Sequence, residues 1–84
     1  MIAKGKQGLR TSSVELLRNE MRRQRDKRGL QAHDNPYWAT ILMEEVGEVA
    51  KAVLDQSPPG DLHDELIQVA AVCISWLQAH EEKP

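Results

Sequence analysis

Apolar side chains recur along this chain at spacings of three and four, the period of an amphipathic helix, and no segment keeps the alternating rhythm of a strand. Three helices are legible. Ser12 followed by Glu15 reads as a capping box, opening a helix with a narrow stripe of Val14, Leu17 and Met21 that ends near Arg28 and Gly29. After a polar connector, Leu30 to Asn35, the pair Asn35-Pro36 places an N-cap ahead of a helix-starting proline. The second helix carries Trp38, Leu42, Val46, Val49, Ala50 and Val53 as its stripe and runs to about Leu54 or Asp55. Ser57-Pro58-Pro59-Gly60 breaks it, and Asp61 can cap a third helix over Leu62 to His80.

The third helix has two stripes. Leu62, Leu66, Val69, Ala70, Cys73 and Leu77 form one, and Ile67, Ala71 and Ile74 form another on a different side. A helix apolar almost all round is buried on nearly every side. Two short companions cannot enclose it, so the second stripe is expected to face a partner subunit. The predicted fold is therefore all-α: a bundle of three helices per chain, completed by oligomerisation. Residues 1–10, polar and basic with two glycines, are expected to be a flexible tail, and residues 11–84 a single helical domain.

Length and composition narrow this further. A chain of 84 residues has room for one domain, and domains of this size commonly need a metal, a disulfide or a partner for stability. Cys73 is the sole cysteine, so no internal disulfide forms, and its apolar neighbours predict a buried, inert thiol. No apolar run approaches the roughly 20 residues of a membrane span, and no secretory signal is visible, so a soluble, cytoplasmic protein is expected. The formal net charge of −2 hides a strong asymmetry. Residues 1–28 hold nine Lys and Arg against three acids, a net of +6; residues 29–84 hold two bases and ten acids, a net of −8. That division fits polyanion contacts beside a cation site, and equally a solvated basic face paired in part with acidic helices.

The acids are ordered. On the second helix Glu45 and Glu48 flank a narrow face that also carries Ile41 and Ala52, with Glu44 and Lys51 close by. On the third, Asp61, Glu65 and Gln68 follow an i, i+4, i+7 line. A tight Pro-Pro-Gly connection makes the two helices antiparallel neighbours whose acidic lines can face each other. Oxygen ligands on facing rigid helices suit Mg²⁺, which is commonly shared between carboxylates and substrate phosphates. A Glu-rich helix followed by Lys is also what a solvated face with i, i+3 pairs looks like, and spacing alone leaves both readings open.

Glu44-Glu45-Val46-Gly47-Glu48, then a gap of 16 residues to Glu65-Leu66-Ile67-Gln68, resembles the EExxE…ExxD signature of the MazG-like nucleoside triphosphate pyrophosphohydrolases. Gln24, Lys27, Gln31, His33 and Trp38 resemble the segment ahead of that family's acidic helix, and Val69-Ala70-Ala71-Val72 with Trp76-Leu77 resembles its final helix. The likeness covers about residues 20–79. It implies a helical dimer or tetramer that hydrolyses a nucleoside triphosphate to monophosphate and pyrophosphate with Mg²⁺. Carried over by position, Glu45, Glu48 and Glu65 would ligate the metal with Gln68, and Glu44 would ligate or orient a water. Lys27, Gln31, His33, Trp38 and Lys51 would contact substrate. Gln68 departs from the pattern, because the family has an aspartate there; an amide oxygen ligates without charge, and Asp61 one turn earlier could compensate.

A different class of function fits the same chain: a non-catalytic helical oligomer that binds nucleotide or nucleic acid through Arg18, Arg22, Arg23, Arg25 and Arg28. Nucleic acid is the less expected partner, and a membrane is not expected. His63 and His80 read as surface residues, and Trp38 and Trp76 continue apolar stripes, which favours core packing over stacking on a base.

Overall fold

The computed structural model describes residues 11–28 and 33–81 of the protein. Three helices follow one another: α1 (Thr11–Arg28), α2 (Asn35–Leu54) and α3 (Pro59–Glu81), with no strand among the described residues. The all-α, three-helix expectation holds. Helices α1 and α2 each pack on α3 and, among the described residues, not on one another, so α3 is the central element. None of the described helices is long and apolar enough to cross a membrane.

Helix α2 is entered one residue earlier than the Asn35-Pro36 signal predicts. Asp34 is the N-cap: its Oδ1 accepts from the backbone N–H of Tyr37 at 3.1 Å, and its carbonyl accepts from that of Trp38 at 3.0 Å. Pro36 lies in the first turn, where a missing N–H leaves nothing unpaired. Asn35 is thereby released for a tertiary bond, and its Oδ1 accepts from Trp76 Nε1 at 3.0 Å. This contact ties the start of α2 to the last turns of α3.

At its other end α2 closes in a Schellman arrangement. Ser57 N–H donates to the Ala52 carbonyl at 3.0 Å and Gln56 N–H to that of Val53 at 3.2 Å. Gln56 has φ 54°, the left-handed conformation that glycine normally supplies at this place. Helix α3 then begins at Pro59, three residues before the predicted Leu62, because proline's fixed φ suits the first helical position. Asp61 consequently sits in the first turn of α3, where its charge complements the helix dipole, and does not cap it.

The hairpin is antiparallel, with Trp76 beside Asn35 at one end and the Asp61–Glu65 turn beside Ala52 at the other. Trp38, Ala52, Ala71 and Val72 form the buried apolar core. Trp38 is 2 % exposed and its ring lies parallel to that of Trp76, centroids 6.5 Å apart. Its Nε1 has no acceptor among the described residues. On α1, the half-buried Val14, Leu17 and Met21 are continued by buried Gln24, whose amide donates to Glu20 at 2.9 Å.

The phase of burial differs from the expected one on two helices. On α3 the stripe of Ile67, Ala71 and Ile74 is the covered one, because α1 packs on that side; Ala71 is fully enclosed and the two isoleucines are half-buried. Of the other stripe, Leu66, Cys73 and Leu77 are exposed, while Leu62, Val69 and Ala70 are half-buried. The thiol expected to be buried is therefore accessible. On α2 the inner face runs through Trp38, Ile41, Glu45, Val49 and Ala52, while Met43, Val46, Val53 and Leu54 are between 41 % and 81 % exposed. By helical phase in an antiparallel pair, the exposed apolar residues of α2 and α3 fall on the same side of the hairpin, opposite α1.

Two substitutions test this packing. Trp38→Ala should remove about 3–5 kcal/mol, enough to unfold a domain with so small a core. Gln56→Gly should instead raise stability by up to about 1 kcal/mol, because it relieves the left-handed residue without touching a side-chain contact. Urea unfolding followed by circular dichroism measures both; a loss on Gln56→Gly would contradict the helix ending described here.

Candidate functional site

Where α2 ends and α3 begins, the two helices enclose a cleft of about 320 Å³. Its lining holds five carboxylates, Glu48, Asp55, Asp61, Asp64 and Glu65, against one ammonium, Lys51, and Gln68 completes the polar wall. The line of Asp61, Glu65 and Gln68 expected from spacing thus faces one space, and Glu48 faces it from the other helix. Lys51 is committed within the cleft: its Nζ donates to Asp55 Oδ2 at 2.8 Å. That hydrogen bond, the charge of Asp55 and, more weakly, that of Glu48 raise the Lys51 pKa above the ordinary lysine value. Asp55 is paired in this way and Asp64 has His63 Nδ1 at 3.9 Å, while Glu48, Asp61 and Glu65 share the same opening.

The remaining candidates are dispersed. Glu45 is half-buried on the inner face of α2, one turn before Glu48, and the hairpin register puts it at about the level of Gln68. Glu44 is exposed on the flank of α2 and does not line the cleft. His33 stacks on Tyr37, centroids 4.2 Å apart, and meets Trp38 edge-on at 5.1 Å. This aromatic group lies at the far end of the hairpin: Trp38 precedes Glu48 by ten residues, roughly 15 Å of helix. The structure therefore separates it from the acidic cleft, and the Trp38 ring is enclosed. The Lys27 side chain and Gln31 lie outside the described residues. His63 and His80 are exposed, as expected.

Asp64 was not singled out by the motif, yet it lines this cleft and also a second one. The signal was present in its spacing, i+3 from Asp61 and i−4 from Gln68, which puts it on the same side of α3. The second cleft, of about 370 Å³, lies between α1 and α3 and is lined by Leu16, Asn19, Glu20, Arg23, His63, Asp64, Ile67 and Gln68. Arg23 is clamped there by Glu20, with contacts of 3.0 and 2.6 Å that raise its pKa, through the hydrogen bond first and the opposite charge second. On the outer surface of α1, Arg18, Arg22 and Arg25 are exposed.

Chemically, the acidic cleft offers only hard oxygen donors. Among the described residues no three His, Cys, Asp or Glu side chains converge into a ready-made coordination sphere. Mg²⁺ does not demand one. It keeps several waters and is usually held by one or two carboxylates together with substrate phosphates, so this donor set fits it. Comparison with family models, with curated proteins and with solved structures finds no match to the chain.

Like charges that line one cleft disfavour folding when no cation is present. Glu65→Gln, which removes the i, i+4 repulsion with Asp61, should leave the metal-free protein as stable as the parent or more stable by about 0.2–0.5 kcal/mol. The gain should shrink as salt is added. Thermal unfolding at low and high ionic strength checks this; a large loss of stability would mean that Glu65 serves a structural contact.

Proposed function

We propose that the protein is a small MazG-like nucleotide pyrophosphohydrolase, cleaving a nucleoside triphosphate to monophosphate and pyrophosphate with Mg²⁺ bound in the acidic cleft. The observation that carries this reading is the facing of Glu48 on α2 with Glu65 and Gln68 on α3 across one cleft that holds five carboxylates against one ammonium. A merely solvated acidic face would be outward on each helix, whereas Glu65 and Gln68 are half-buried and turned toward the neighbouring helix. Glu48 and Glu65 would hold the cation, with Glu45 behind them and the Gln68 amide as a neutral donor. When bound, Mg²⁺ would polarise a phosphoryl oxygen and lower the pKa of a water. Of the basic residues, Lys51 stands at the cleft, and its partner Asp55 keeps it charged and oriented beside the opening.

The reading includes a second copy of the chain. The exposed apolar face of Met43, Val46, Val53, Leu66 and Leu77 lies opposite α1, so covering it would bury large apolar side chains without closing the cleft. Because this face replaces the Ile67–Ile74 stripe as the free one, Leu66→Glu and Leu77→Glu are the substitutions that should dissociate the assembly. Sedimentation should report a dimer or larger species for the parent and a monomer for the variants. A folded parent monomer at low micromolar concentration would contradict the assembly.

For the activity itself, Glu48→Gln and Glu65→Gln should each lower Mg²⁺-dependent pyrophosphate release from nucleoside triphosphates by at least about a hundredfold with helicity unchanged. Wild-type turnover in either variant would remove the cleft from the reaction. Release that survives removal of divalent cations would remove the metal.

A further inference from the structure

The acidic cleft adjoins the groove between α1 and α3, and Asp64 and Gln68 line both. The two spaces differ in chemistry. The cleft has five carboxylates and one ammonium, whereas in the groove Glu20 is engaged by Arg23 and Gln24, and Leu16 and Ile67 supply apolar wall. Asn19 stands beside them, and Asn19 and Gln68 are amides that each present both donors and acceptors. Two apolar side chains, Leu16 and Ile67, beside two amides, the engaged Glu20–Arg23 pair, His63 and Asp64 make an open, mixed lining of about 370 Å³, large enough for a flat heteroaromatic ring with a polar edge. The aromatic group of His33, Tyr37 and Trp38, by contrast, stands roughly 15 Å of helix from the cleft with the Trp38 ring enclosed.

We propose that the α1–α3 groove is the nucleoside subsite of the acidic cleft, so that the base lies between Leu16 and Ile67 with Asn19 and Gln68 at its edge while the phosphates lie on the α2 side. The proposal rests on the pyrophosphohydrolase reading and deepens it. It gives α1 a direct part in selecting the base. It also gives Gln68 a second use, since its amide stands at the junction of the two spaces and can both donate to and accept from the edge of a base.

The test measures binding without turnover. A nucleoside triphosphate with a methylene bridge between the α and β phosphorus atoms, and inorganic triphosphate, are each titrated with Mg²⁺ by calorimetry. Asn19→Ala and Leu16→Ala, both at exposed positions of α1, should weaken the nucleotide analogue by about tenfold each and leave inorganic triphosphate unchanged. A photoreactive azidopurine triphosphate on the parent protein should label α1 within residues 16–23. Equal weakening of both ligands, no weakening of either, or labelling at residues 33–38 would overturn the subsite while leaving the acidic cleft in place. If the parent binds neither ligand, the pyrophosphohydrolase reading falls and the subsite with it.

Discussion

The antiparallel contact between α2 and α3 is the constraint from which the other features follow. It is held at one end by aromatic rings and an indole-to-Asn35 hydrogen bond, and Ala52 of α2 and Val72 of α3 are among the buried apolar residues of the two helices. At the other end the connection from Asp55 to Pro58 leaves the chain no room to splay. Carboxylates at the end of α2 and the start of α3 are therefore brought to one cleft whether or not their charges favour it. Apolar burial elsewhere along the hairpin offsets that repulsion, and a divalent cation would remove it.

The same geometry divides the surface. Helix α1 covers one side of α3, where Asp64 and Gln68 line both its groove and the acidic cleft; the opposite side of the hairpin leaves Val46, Val53, Leu66 and Leu77 exposed. Charge follows the division in the main, since α1 carries six of the nine basic residues of the first third, and α2 and α3 carry seven of the ten acids that follow it.

Much of this was legible in the sequence. Periodicity gave all three helices, and the i, i+4, i+7 line of Asp61, Glu65 and Gln68 gave one wall of the cleft. Two kinds of detail were not. Asp34 and Asn35 are nearly equal as N-caps, and the choice between them depends on Trp76, which lies 41 residues away in the chain. Nor can hydrophobicity set the phase of a helix that is apolar on two sides: α1 covers Ile67 and Ile74 and leaves Leu66 and Leu77 bare, a result of tertiary packing. On α2 the apolar stripe pointed outward through Val46 and Val53, because the inner face accepts Glu45 at its centre. That placement of a carboxylate on a packing face is where local rules give way, and such exceptions are expected to coincide with function.

Direct cation binding tests the account most simply. Mn²⁺ replaces Mg²⁺ at hard-oxygen sites and is counted by electron paramagnetic resonance as the loss of its free-ion signal. The parent protein without nucleotide should take up Mn²⁺ at millimolar concentration, Mg²⁺ should displace it, and the double variant Glu48→Gln, Glu65→Gln should not bind it. Uptake by the double variant equal to that of the parent, or none by the parent, would contradict a cation site between α2 and α3.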